Sequence, residues 1–150
     1  MYTRDYMIAE NSYEKRIVQY EKIHSIDERD FETMIGAINP KNDEIILDAC
    51  CGYGAVSKRI KEKIKADNLN TKIVLLDNSQ LQISRAKENF KDQENIEFVL
   101  SDATNTNFEN DFFDTIANKM GLHEVPQDLQ ISMMNEFYRI LKKDGKIVLW

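Results

Sequence analysis

The sequence predicts an α/β protein built on a doubly wound parallel sheet, and three observations predict it. Short apolar runs recur between segments with helical spacing. The runs carry no polar alternation, as in strands buried on both faces. Acidic or glycine-rich residues follow the runs directly, at Asp48, Asp77 and Asp102. Runs that alternate with helices in this way form right-handed crossover units of a parallel sheet.

The elements follow in order. The first 38 residues read as helical, with Ile17, Tyr20 and Ile23 and then Phe31, Met34, Ile35 and Ile38 at helical spacing. Asp27 is placed to cap the second of these helices, which stops before Asn39-Pro40. Glu44–Ala49 is the first strand and Ala55–Ala66, with Val56, Ile60 and Ile64 four apart, the first crossover helix. Lys72–Leu76 is a strand and Ser79–Phe90 a helix. Ile96–Leu100 and Phe113–Ala117 are strands, separated by a loop. Leu129–Leu141 is an amphipathic helix, Lys143-Asp144-Gly145 a turn, and Lys146–Trp150 a fifth strand. No repeat or linker interrupts the chain. Two domains are expected, a helical cap over 1–39 and a ligand-binding domain over 40–150.

Composition narrows the function classes. The chain has 150 residues, the size of one domain with a core of its own. A net charge of −6 argues against nucleic acid or an anionic membrane as partner, because both reward clustered Lys and Arg. No apolar stretch approaches the roughly 18 residues a bilayer demands, and the N-terminus is too polar for a signal peptide, so a cytoplasmic location without membrane insertion is expected. Cys50 and Cys51 are the two cysteines. Adjacent cysteines bond poorly to each other, and with His24 and His123 they make an unpromising metal set, so no metal is expected and the thiols are read as small buried groups.

In a doubly wound sheet, ligands bind beyond the C-terminal ends of the strands. The candidate residues lie there: Asp48, Cys50, Gly52 and Gly54 after the first strand, Asp77 and Asn78 after the second, Asp102 and Ala103 after the third, and Asn118 to His123 after the fourth. Gly52 and Gly54 allow positive φ and close approach of a ligand to the backbone. A phosphate loop is excluded because no Gly-Lys-Ser/Thr follows. The dinucleotide pattern fails at Ser57, where it asks for Gly or Ala, and Asp48 would repel a diphosphate. The acids instead suit a phosphate-free ligand: Asp48 for an ammonium, Asp77 for ribose hydroxyls and Asp102 for an adenine amine.

These motifs resemble the class I S-adenosylmethionine-dependent methyltransferases over residues 40 to 150. Asp48-Ala49-Cys50-Cys51-Gly52-Tyr53-Gly54 resembles the family's first motif, with Cys50 in place of its first glycine. The Cys-Cys-Gly-x-Gly form is similar to the ring C-methyltransferases of ubiquinone and menaquinone synthesis. Leu76-Asp77-Asn78-Ser79, Ser101-Asp102-Ala103, Phe112–Ile116, Gly121–Pro126 and Phe137–Gly145 resemble the later motifs in order. The resemblance implies a Rossmann-like fold, S-adenosylmethionine as cofactor with S-adenosylhomocysteine as product, and a small-molecule methyl acceptor. It implies that Cys50 and Gly52 offer backbone to the cofactor. The tolerance of a β-carbon at position 50 is expected to mean a negative φ there. His123 is the candidate general base. Tyr20 and Arg29, with Tyr6 and Tyr13, are candidates for the methionine end of the cofactor.

The family's sheet usually has seven strands, and this chain stops in or just after the fifth. An exposed fifth-strand edge is expected to favour a homodimer. Two other readings compete: a truncated or non-catalytic scaffold of the same fold acting through protein contacts, and an NAD-dependent oxidoreductase.

Overall fold

The computed structural model describes residues 28–150. Tyr6, Tyr13, Ile17, Tyr20, Ile23, His24 and Asp27 lie outside the described residues. The chain divides after Thr33, and the unit Met34–Trp150 holds every strand described below.

Helix α1 (Glu28–Ile38) comes first, with Met34 and Ile38 fully buried and a proline two residues beyond its end. The elements that follow are β1 (Ile45–Ala49), α2 (Ala55–Ala66), β2 (Lys72–Asp77), α3 (Gln80–Asn89), β3 (Ile96–Leu100), β4 (Phe113–Asn118), α4 (Gly121–Glu124), α5 (Gln127–Ile140) and β5 (Leu141–Leu149). The strands form one sheet in the order β3-β2-β1-β4-β5, and every neighbouring pair is parallel. The predicted α/β class and Rossmann-like five-stranded sheet are what the structure shows.

The order of the strands sets the position of a site. From β1 the chain winds one way to β2 and β3, then returns to place β4 on the other flank of β1. The switch in direction opens a crevice at the C-terminal ends of β1 and β4. Period-two alternation then sorts the side chains of β1 and β2. Leu47, Ala49, Val74 and Leu76 join Met133, Phe137 and Ile140 of α5 in one apolar cluster. Asp48 alternates to the other side of the sheet.

Two predicted boundaries move by more than one residue. Helix α5 begins at Gln127, right after Pro126, whose fixed φ suits the start of a helix, rather than at Leu129. The predicted turn at Lys143-Asp144-Gly145 is instead an irregularity inside β5: Phe113 pairs with Leu141, but Thr115 pairs with Lys146. The helix runs straight into the strand at Leu141, and the surplus residues bulge out of register. Gly145 is needed in that bulge, because a β-carbon there would lie 2.7 Å from Leu141 Cδ1 and 2.9 Å from the Asp114 carbonyl oxygen.

Candidate cofactor site at the C-terminal edge of the sheet

The first turn of α2 poses a capping problem. Its N-cap is Gly54, with φ +91°, and no side chain of that residue can satisfy the free amides of the helix start. Asp48 solves it from the neighbouring strand. Its Oδ2 accepts from the Ser57 amide at 3.1 Å and from the Ser57 hydroxyl at 2.6 Å. Ser57, the residue that broke the dinucleotide pattern, is thus the partner that holds Asp48. The carboxylate is 1% exposed, so it does not present an open face to an ammonium group; it braces the glycine turn. Burial pushes its pKa up to about 7, against the lowering effect of the two Ser57 bonds and with a further push from the charge of Asp77.

Asp77 binds the turn from the next strand. Its Oδ2 accepts from the Gly52 amide at 2.9 Å, and its Oδ1 from the Ser79 amide at 2.9 Å. Ser79 then caps α3, its side chain accepting from the Gln82 amide. Asp77 is 4% exposed, and burial raises its pKa. Among the described residues, no lysine or arginine pairs with Asp48 or Asp77.

The glycines play separate parts. Gly52 has φ +54°, and a β-carbon built on it would meet nothing within 4 Å, so the turn is open to space there. Gly54 is closed: a β-carbon would lie 2.6 Å from Phe90 Cε2. One glycine leaves room for a ligand and the other leaves room for the core. Cys50 corrects an expectation. Its φ is +56°, not negative. The position demands the left-handed conformation that glycine adopts without penalty, and Cys50 adopts it at a cost of order 1 kcal/mol or more. Both cysteines are free thiols. Burial, followed by the charge of Asp77, pushes Cys50 up to about 12, and burial likewise raises Cys51, so neither is a thiolate near neutral pH.

At the switch point, Asn118 spans the crevice. It is 1% exposed; its Nδ2 donates to the Ala49 carbonyl at 2.9 Å, and its Oδ1 accepts from the Leu122 amide at 3.1 Å. The second bond helps start the one-turn helix α4, which the sequence reading did not contain. Gly121 opens that turn, and a β-carbon there would lie 2.4 Å from the Cys50 β-carbon. Asp77, Asn118, Cys50 and the glycine turn are therefore one assembly. Asp102 is half-buried, its Oδ1 accepting at 2.8 Å from both the amide and the hydroxyl of Thr104, with Ala103 buried beside it. Asn78 is exposed next to Asp77.

His123 stands on α4, its side chain 55% exposed and its Nε2 3.2 Å from Glu124 Oε1. Together with Asn118, Met120, Leu122, Leu149 and Trp150 it lines a cleft of about 340 Å3. Arg29 is exposed on α1, and Tyr20 lies outside the described residues. Sequence reasoning missed the bracing role of Ser57 and the need for glycine at 121. The first was signalled by an uncapped helix start with a serine at its third position; the second had no local signal.

This arrangement defines a class. Comparison with known proteins establishes the relation. The chain belongs to the methyltransferase domain family, whose model matches residues 46–145. It is 31% identical over 113 residues to a demethylmenaquinone methyltransferase of Oceanobacillus iheyensis, a match covering 74% of this chain and 45% of that protein. It is 32% identical over 111 residues to the protein of the same name from Staphylococcus saprophyticus, covering 74% and 46%. The chain spans a little under half the length of these curated relatives. Among solved structures, the YcgJ protein of Bacillus subtilis superposes with a TM-score of 0.71 at 20% identity, covering 81% of this chain and 50% of that one. A putative S-adenosyl-L-methionine-dependent methyltransferase of Methanococcus maripaludis superposes with a TM-score of 0.68 at 24% identity, covering 94% and 61%. At those identities the superpositions establish the fold.

Proposed function

We propose that the chain binds S-adenosylmethionine at the C-terminal edge of its sheet and takes part in methyl transfer to a small-molecule acceptor. The observation that carries this reading is the open glycine turn at Gly52, held from below by a buried carboxylate with no cation beside it among the described residues. Such a site suits a ligand with hydroxyls and positive charge and repels one with phosphates.

The residues fit the cofactor part by part. The Gly52–Gly54 turn, with the backbone of Cys50, lies against the methionine portion, and Asp48 keeps that turn in shape through Ser57. Asp77 and Asn78 receive the ribose hydroxyls. Asp102 and Ala103 flank the adenine. Asn118 closes the crevice from β4. When bound, the cofactor would supply a sulfonium methyl group for in-line transfer to the acceptor, with the thioether S-adenosylhomocysteine as leaving group and no covalent enzyme intermediate. The chain's own work is to orient the reactants and exclude water.

The acceptor is a ring of quinone type in this reading, supported by the Cys-Cys-Gly-x-Gly turn and by the names of the two bacterial relatives. A ring carbon or phenol must lose a proton on methylation, and His123, at the mouth of the apolar cleft near β4, is the candidate base.

Calorimetric titration with S-adenosylmethionine, S-adenosylhomocysteine and NADH, on the chain and on Asp77→Ala, tests the cofactor. Micromolar binding of the first two ligands, lost in the variant, is expected. Binding of NADH alone, or no binding by a folded sample, would sink the reading. For His123, a methylation assay with a naphthoquinol acceptor is expected to show a fall in kcat of about a hundredfold in His123→Gln with little change in cofactor affinity.

A further inference from the structure

A second cleft, of about 520 Å3, lies between α2 and the turn after α3, and the methyltransferase reading assigns nothing to its lysines. Lys58, Lys61 and Lys65 line one side of it, three and four residues apart on a single face of α2. Phe90 and Gly54 line it as well, with Asn89 and Gln93 at the end of α3. Its volume is that of a small-molecule site.

Three like charges in a row repel one another, by a few tenths of a kcal/mol for each neighbouring pair. The nearby acids do not relieve them. Glu62 lines the cleft but pairs with Arg59 at 3.1 Å, and Asp67 pairs with Lys63 at 2.7 Å. Lys61 donates to the Glu94 carbonyl at 2.6 Å. The side-chain ammonium groups of Lys58 and Lys65 have neither a hydrogen-bond nor an ion-pair partner among the described residues. The wall behind them is fixed: Asn89 Nδ2 donates to the Tyr53 carbonyl at 3.0 Å, and the Tyr53 ring lies under the Arg85 guanidinium at 5.0 Å. On a chain of net charge −6, this is a concave site of the opposite sign with an aromatic side chain in its lining.

We propose that this cleft binds a small organic anion, a planar ring carrying a phosphate or carboxylate, with the anionic group between Lys58 and Lys65 and the ring over the edge of Phe90 that reaches the cleft, Phe90 itself being 6% exposed. A nucleic acid is the poorer fit, because three lysines in a concavity do not make the extended basic footprint that a phosphate backbone tracks, and Glu62 stands among them. The proposal does not rest on the cofactor reading: the two sites back onto the same glycine turn at Tyr53 and Gly54, but the binding groups are the α2 lysines and the ligand has the opposite charge.

The test is a titration of the 15N-labelled full chain, followed by NMR, with phenyl phosphate, benzoate, inorganic phosphate, heparin and neutral benzyl alcohol. Phenyl phosphate or benzoate is expected to shift the amides around Lys58 and Asn89–Gln93 saturably, with inorganic phosphate weaker and benzyl alcohol without effect. Which of the two ring anions binds more tightly identifies the anionic group. Lys58→Gln/Lys65→Gln, both exposed positions, is expected to weaken binding about tenfold while leaving the rest of the spectrum unchanged. Three results would overturn the assignment: no saturable shift with either ring anion, shifts that survive the double substitution, or a response to heparin alone.

Discussion

The two ends of the sheet treat their carboxylates in opposite ways. At the N-terminal ends of the strands, acids have cations. Asp114 pairs with Lys142 at 2.8 Å while also accepting from the Ile45 amide, and Lys72 pairs with Glu97 at 2.6 Å. Glu136, on α5, accepts from Arg139 at 2.7 and 2.9 Å and from the Thr106 amide at 2.8 Å, and Arg139 ties down the Phe108 carbonyl and Asn110 of the β3–β4 connection. The Arg139 bond holds Glu136 down at a pKa of about 2. At the C-terminal ends, Asp48 and Asp77 are buried more deeply, bonded to backbone amides and a serine, and pushed upward by burial. An acid with a cation locks structure. A buried acid without one costs stability, and such groups gather where ligands bind. The comparison therefore points to the same end of the sheet as the proposed cofactor site.

The largest expected effect tests that cost. A carboxyl that titrates near 7 when folded and near 3.8 when unfolded keeps its proton longer in the folded state. Its contribution to stability is whole below the unfolded value, declines as pH rises, and is gone above about 7. Asp48→Asn keeps an oxygen for Ser57 and removes the titration. Relative to the variant, the native chain is expected to lose stability between pH 4 and pH 7, by at most about 4 kcal/mol, and to level off above. Urea midpoints at several pH values give the difference curve, and a flat curve would break the comparison at its strongest point.

Next in size is the contact between Cys50 and Gly121. Gly121→Ala drives a β-carbon into Cys50 and Asn118, at an expected cost of about 2 kcal/mol or more. Cys50→Gly removes two of the three obstructing atoms and relieves the positive φ, while Asn118 Nδ2 stays 2.6 Å from the new β-carbon, so the double variant is expected to recover part of the loss. Additive effects in the cycle would show that the two sites do not share one assembly. Behind this comes Glu136→Ala, which strips the acceptor from the buried Thr106 amide and hydroxyl, at about 1–3 kcal/mol in urea melts. Because Glu136 titrates low in the fold, the stability it adds is present above its unfolded value near 4.5 and lost as pH falls toward 2, the reverse of Asp48.

How much of this was legible in the sequence follows from the range of each interaction. The strands were legible because runs such as Ile45–Leu47 and Ile73–Leu76 are apolar without alternation, and the crossover helices because Val56, Ile60 and Ile64 repeat at four. The positions of Asp48, Asp77 and Asp102 at strand ends were legible for the same reason. Their directions were not. Asp48 was read as facing a ligand, but Leu47 and Ala49 already point to the α5 cluster, so period-two alternation turns it toward α2 and Ser57. The φ of Cys50 was misread because a cysteine was taken to exclude the left-handed region, when a well-braced turn can hold it there. The bulge in β5 depends on the register against β4, which is a non-local fact.

The smallest expected effect separates a cation that locks structure from one that only accompanies it. Lys142 and Asp114 are 41% and 24% exposed at the side chain, so solvent screens their attraction. Lys142→Met is expected to cost no more than about 1 kcal/mol, and less in high salt. Asp114→Ala also removes the acceptor of the Ile45 amide, at 2.8 Å, where β1 begins, so it is expected to cost more than Lys142→Met in the same urea melts. Equal losses in the two variants would mean that the ion pair itself carries the stability, and that the N-terminal end of the sheet depends on its cations as strongly as Glu136 depends on Arg139. Unequal losses would place the stability in the carboxylate-to-amide bond. The two ends of the sheet would then share one device, a side-chain carboxylate holding backbone amides, and differ in whether a cation is supplied to lower its cost.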